Sequence, residues 1–95
     1  MKWTKVRNPP GARKTWVSQG NKVRARNSWN YVDLSITQKR SYNQYEVEAV
    51  LYKGDREADS TRSAGLSSLS EAKAKARDFL AYYRRTNGEW RYGSQ

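Results

Sequence analysis

The chain has 95 residues and a strongly basic composition, with 19 Lys and Arg against 9 Asp and Glu and a formal net charge of +10. It contains neither cysteine nor histidine, which excludes disulfides, thiolate and imidazole metal sites, Ser-His triads and cysteine nucleophiles. No apolar run approaches the length of a membrane span, and Met1-Lys2-Trp3 does not resemble the start of a signal peptide. We therefore expect a cytoplasmic protein that makes no membrane contact.

The charge is unevenly distributed along the chain. Residues 1–30 contain eight Lys and Arg and no acid, whereas residues 46–60 contain five acids against two basic residues. A charge of this size and polarity favours a polyanionic partner. The alternative is a surface that only keeps the protein soluble, or a basic half that neutralises the acidic segment.

Residues 1–28 are predicted to form a basic extension made of short strands. A first strand is expected over residues 2–6. Alternating side chains then predict a hairpin in which strands 14–18 and 22–26 are joined by a tight turn at Gln19-Gly20-Asn21.

Residues 29–53 are predicted to form a central antiparallel hairpin, because two segments alternate apolar and polar residues. The apolar faces of its two strands are expected to receive a helix. They comprise Val32, Leu34 and Ile36 in the first strand and Val47, Ala49 and Leu51 in the second.

Residues 54–67 are polar, small and weakly periodic, and predict an extended connector with at most one short strand at its start. Residues 68–87 predict an amphipathic helix, because Ser68 and Glu71 have capping-box spacing and apolar residues follow at helical intervals. Residues 88–95 read as a tail. The expected fold is a single α+β domain, with a small antiparallel sheet of three to five strands and one C-terminal helix packed on one face.

Catalysis is weakly indicated. Asp33, Glu46 and Glu48 are predicted to share one sheet face, as the carboxylates of a divalent-metal nuclease would. The lysine that usually follows such a pair is absent, since Val50 occupies the position, and ion pairs with the basic strand 22–26 explain the acids well. We therefore expect no enzyme activity, no metal and no cofactor.

Nucleic-acid binding is more strongly indicated, because cations that can neutralise phosphates are interleaved with aromatic rings that can stack on bases. A sheet face of this composition can also enter a major groove as a ribbon. The alternative for each aromatic is that it fills a core poor in aliphatic residues. The candidate binding residues are Arg13, Lys14, Trp16, Lys22, Arg24, Arg26, Trp29, Tyr31, Lys39 and Arg40.

Residues 22–85 resemble the AP2/integrase N-terminal type of DNA-binding domain. The resemblance rests on three predicted strands followed by GLSSLSEAKAKARDFL at the start of a helix. It implies DNA binding by the sheet face that points away from the helix. The double-stranded-RNA-binding domain has the same order of elements and is the weaker match, because Leu69 and Ser70 occupy positions where lysines are expected and no N-terminal helix is predicted.

The expected partner is therefore nucleic acid, with DNA favoured over RNA. The small basic chain also resembles accessory proteins encoded by bacteriophages. This resemblance implies, as the alternative, an inhibitor or interaction module that binds an acidic host protein in the host cytoplasm. A homodimer formed through an open sheet edge is a further possibility.

Overall fold

The computed structural model describes residues 1–8, 10–24, 29–39 and 44–87. An antiparallel sheet of five strands in the order β1-β2-β3-β4-β5 is followed by one C-terminal helix, which confirms the predicted α+β class. The elements are β1 (Thr4–Val6), β2 (Ala12–Arg24), β3 (Trp29–Lys39), β4 (Tyr45–Lys53), β5 (Arg56–Leu66) and α1 (Leu69–Arg85).

The central hairpin forms as predicted. Leu34 lies opposite Ala49 across the β3–β4 pair, and Ile36 lies opposite Val47. Their side chains are buried under α1, together with the neighbouring apolar residues of both strands. We call this face of the sheet the helix side and the other face, which bears Trp29 and Asp33, the open side.

The helix begins where the sequence predicts. The Ser68 hydroxyl accepts a hydrogen bond from the backbone N–H of Glu71 at 3.0 Å. The Glu71 carboxylate reaches one residue further back than a capping box requires, and accepts bonds from the N–H and hydroxyl of Ser67 at 3.0 and 2.7 Å. The apolar stripe of α1 is buried against the sheet. The buried residues of the helix are Ala72, Ala76, Phe79, Leu80, Tyr82 and Tyr83.

The predicted hairpin of strands 14–18 and 22–26 is wrong. The described part of this segment belongs to one continuous strand, β2, which pairs with β3 along its length. Gly20 has φ of +68°, as a tight turn would need, but it lies in a β-bulge. Ser18 is opposite Leu34 and Asn21 is opposite Val32, so Gln19 and Gly20 together face a single residue of β3.

Side chains satisfy the polar groups that this bulge frees. The backbone N–H of Gly20 donates to Asp33 Oδ1 at 2.8 Å. The buried side-chain amide of Asn21 donates to the carbonyl oxygens of Ser18 and Val32 at 2.9 and 3.1 Å. A glycine that predicts a turn from sequence thus forms a bulge, because acceptors distant in the chain stabilise it.

The bulge reverses which side chains of β2 point to which side of the sheet. Before it, Lys14 and Trp16 lie opposite Gln38 and Ile36 of β3, on the helix side. After it, Lys22 lies opposite Tyr31, on the open side. Simple alternation would place these even-numbered residues of β2 on one face.

The predicted connector 54–67 is also wrong, because Arg56–Leu66 forms the edge strand β5 along the whole of β4. The prediction failed because most side chains of this strand are exposed or half-buried on both faces, so they show no apolar alternation. Gly54 begins the two-residue turn between β4 and β5 with φ of +64°, which suits a hairpin turn.

The tail at residues 88–95 and the candidate residues Arg26 and Arg40 lie outside the described residues. Among the described residues, no helix has both the length and the apolar character that crossing a membrane would require.

Candidate nucleic-acid interface

The open side of the sheet exposes two large aromatic side chains on β3. Trp29 is 52 % exposed and Tyr31 is 38 % exposed. Burial of such rings removes a large apolar area from water, so their exposure on a sheet indicates a binding surface more strongly than an exposed aliphatic residue would.

Cations lie directly beside these rings. Arg24 is opposite Trp29 in the β2–β3 register, and Lys22 is opposite Tyr31. The Lys22 Nζ lies 5.7 Å from the Trp29 ring centroid, within cation–π range. Tyr52 of β4 lies opposite Tyr31 on the other flank. We call Lys22, Arg24, Trp29, Tyr31 and Tyr52 the open-side cluster.

A shallow depression of about 210 Å³ adjoins this cluster on the open side. Tyr52 belongs to both, and the floor includes Val17 of β2 and Val50 of β4. Asp33 and Glu48 contribute carboxylates to its lining. The depression therefore offers apolar contact and hydrogen-bond acceptors next to the exposed rings.

Acids at the other end of the open side are engaged in ion pairs. Arg62 of β5 bridges two of them, with Nε 3.0 Å from Glu46 Oε1 and Nη2 2.9 Å from Glu48 Oε2. The Nζ of Lys39 lies 3.3 Å from Glu46 Oε2. These pairs partly neutralise the negative charge of β4, although exposed pairs contribute little to stability.

The hydrogen bond that Arg62 donates to Glu48, together with the charges of Glu46 and Glu48, raises the pKa of Arg62 above its already high ordinary value. Asp33, the remaining acid on the open side of β3, accepts the bond from Gly20. The carboxylates weighed as metal ligands thus have structural partners, and the described residues contain no group of three or more acids placed to hold a metal ion.

The structure does not bring the predicted binding residues onto one surface. Lys22, Arg24, Trp29 and Tyr31 lie together on the open side, but Lys14 and Trp16 lie on the opposite side of the sheet. Trp16 is half-buried against the core, with its ring centroid 6.2 Å from that of Tyr45. The remaining described candidates are Arg13, exposed at a second bulge near the start of β2, and Lys39, paired with Glu46.

Two residues of the open side were not predicted. Alternation along β4 places Tyr52 on the open side, but its position opposite Tyr31 depends on the strand register. Arg62 was hidden within the segment read as a connector. The sequence around Arg62 does favour a strand weakly, because Arg62 lies between Thr61 and Ser63, which are compatible with strands. The polar composition of the segment outweighs this signal.

Comparison with protein-family models, curated sequences and solved structures gave no match for this chain. The resemblance to AP2/integrase-type and double-stranded-RNA-binding domains therefore stays a prediction.

Proposed function

We propose that this protein is a small nucleic-acid-binding protein that prefers duplex DNA and uses the open side of its sheet. The observation that carries the proposal is the open-side cluster, in which two exposed aromatic rings lie beside the cations of β2 on the face that the helix leaves uncovered. Cations neutralise phosphates, and flat rings stack on bases or contact groove walls.

The ion pairs of β4 and β5 are compatible with this use of the open side. Because Arg62 and Lys39 hold Glu46 and Glu48, the repulsion that these acids exert on a phosphate backbone is reduced. Among the described residues, Lys22 and Arg24 of the open side form no ion pair, so their charge is available to a ligand next to Trp29. Contact centred on β2 and the start of β3 keeps the phosphates away from β4.

The composition of the cluster also supports a second candidate function. Trp, Tyr and Arg are the residues most enriched at the centres of protein–protein interfaces. An acidic protein whose carboxylates replace phosphates would fit the same surface. The two candidates differ in the ligand that saturates the cluster.

The test is an anisotropy titration of the protein with labelled duplex DNA and duplex RNA at two salt concentrations. We expect DNA binding that weakens by about three decades between 50 and 200 mM salt if about six phosphates are contacted. Replacing both cations, as Lys22→Gln/Arg24→Gln, is expected to weaken binding at low salt at least about tenfold. The matched control is Lys75→Gln/Arg85→Gln, which removes the same charge from α1, on the side of the sheet away from the cluster.

Absence of DNA and RNA binding at low salt would contradict nucleic-acid binding and favour the acidic-protein candidate. An equal loss of affinity in the control variant would show that net charge, and not the open-side cluster, determines binding.

A further inference from the structure

A second basic surface lies on the opposite side of the sheet from the open-side cluster. It is formed by the helix side of β1 and β2 and by the flank of α1 that faces β2. We call it the helix-side groove, and define its cations as Lys5, Lys14, Lys73, Arg77 and Arg84.

The sheet contributes two of these cations. Lys5 of β1 lies opposite Trp16 of β2, and Lys14 lies opposite Gln38 of β3, so all of them point to the helix side. Both lysines are exposed. Trp3 and Trp16 are half-buried beside them and pack against the core, so they provide an apolar floor next to the charges.

One hydrogen bond fixes which flank of the helix faces β2. The Nε of Arg84 donates to the carbonyl oxygen of Lys22 at 3.1 Å. Lys73 and Arg77 precede Arg84 by eleven and seven residues, and at about 100° per residue they lie within about 20° of it around the helix axis. All three cations therefore line the side of α1 that overlooks β1 and β2.

The acids of the helix lie away from this flank. Glu71 and Asp78 are about 120–140° from Arg84 around the axis. Tyr83, about 100° from Arg84 in the opposite direction, is buried against the sheet, whereas Glu71 and Asp78 are exposed. The helix thus presents cations to β2 and its acids to solvent.

Four of the groove cations have no acidic partner. Within residues 1–8, 10–24, 29–39 and 44–87, no ion pair involves Lys5, Lys14, Lys73 or Arg77. No acid occurs in residues 1–30. A surface on which cations of one sign are grouped without acidic partners has a positive potential and attracts a polyanion.

We infer that the helix-side groove binds the backbone of a second nucleic-acid duplex, so that one protein molecule bridges two duplexes. This inference rests on the proposed function of the open-side cluster. A single duplex does not satisfy both surfaces, because they lie on opposite sides of a molecule whose smallest extent is 19 Å. A major groove is only about 12 Å wide.

The test measures bridging directly. An unlabelled duplex is fixed to beads, protein is added at low salt, and capture of a second, fluorescent duplex is measured. We expect the wild-type protein to capture it. The variant Lys73→Gln/Arg77→Gln is expected to lower capture at least about tenfold while binding of a single duplex changes less than about threefold. Glutamine is a good helix former, so the helix is retained.

The matched control is Lys75→Gln/Arg85→Gln, which removes two positive charges from other positions around the same helix. It is expected to leave capture within about twofold of wild type. Sedimentation of the protein without DNA distinguishes bridging by one molecule from bridging by a homodimer. A homodimer that holds one duplex per open side would retain capture in the Lys73→Gln/Arg77→Gln variant.

Single-duplex binding without capture would overturn the inference and leave the proposed function intact. Capture that the Lys73→Gln/Arg77→Gln variant retains would overturn the assignment to the groove. Absence of any duplex binding would contradict the proposed function itself, and the inference with it.

Discussion

The two halves of the sheet use their charged residues differently. In the half formed by β3, β4, β5 and α1, several acids stabilise the fold. Asp33 accepts a hydrogen bond from Gly20 in the bulge, and Glu46 and Glu48 form ion pairs with Arg62. Glu71 accepts a hydrogen bond from Ser67 at the start of the helix. In the half formed by β1 and β2, no acid is present, and within the part of the chain that the structure describes no ion pair involves the cations of either side.

This difference separates stability from binding. The buried apolar residues are concentrated in β3, β4 and α1, where they form the core. The exposed rings of Trp29 and Tyr31 lie at the start of β3, beside exposed cations of β2. Changes in the buried core of β3, β4 and α1 are therefore expected to lower the stability of the fold. Changes to the exposed cations of β2 are expected to weaken ligand binding and to leave stability nearly unchanged.

The largest expected effect is a loss of stability when a core residue is truncated. Leu34 is fully buried at the centre of β3 under the helix, so Leu34→Ala removes apolar contacts and leaves a cavity. We expect a loss of about 3 kcal/mol in the free energy of unfolding, measured by urea denaturation. By comparison, Lys22→Gln/Arg24→Gln on the exposed face is expected to change it by less than about 0.5 kcal/mol. Similar losses in both variants would contradict the separation.

A smaller effect is expected at the bulge that sets the two faces of β2. Gly20 has φ of +68°, and a Cβ added there would meet no atom within 4 Å. The cost of Gly20→Ala therefore comes from the left-handed backbone alone, and we expect about 1 kcal/mol of destabilisation. Gly20→Asn is the control, because asparagine tolerates this conformation better. Equal stability of the alanine variant and the wild type in urea would show that the bulge does not require the left-handed residue.

The smallest expected effect concerns the start of the helix. The hydrogen bonds from the Ser67 side chain and backbone hold the pKa of Glu71 below its ordinary value of 4.5. Because the folded-state pKa is lowered, this stabilisation is present above the ordinary pKa and is lost as the pH falls through the lowered value. We expect Glu71→Gln to lower the melting temperature slightly at neutral pH, with the difference from wild type vanishing in acid.

The melting temperatures of both proteins over a pH series check this prediction. A difference that persists unchanged at the acidic end would mean that the Glu71 charge does not contribute. The Glu57→Gln variant, which alters an exposed acid of β5, serves as the control for general loss of negative charge.

The elements predicted from sequence are those whose signals are local. Alternation in β3 and β4 and the capping residues of α1 are read within a few positions, and the structure confirms them. β5 was missed because an edge strand with little to bury lacks an apolar pattern, and its pairing with β4 is what defines it.

The candidate surface was predicted only in part, for a different reason. In a regular strand, the even-numbered residues point to one face. Four of the candidate residues in β2 are even-numbered, namely Lys14, Trp16, Lys22 and Arg24. The bulge inserts one residue between the two pairs and sends them to opposite sides of the sheet. Asp33, which accepts a hydrogen bond from the bulge, is distant in the chain, so no local pattern reveals the bulge.

The central claim is that the cations of β2, and not the overall net charge of +10, determine nucleic-acid binding. The most direct measurement is the slope of log affinity for duplex DNA against log salt concentration, for the wild type and for Lys22→Gln/Arg24→Gln. Each lost phosphate contact reduces the slope by about 0.9, so the account predicts a slope smaller by about two in the variant and an unchanged slope in Lys75→Gln/Arg85→Gln. Equal slopes in all three proteins would contradict it.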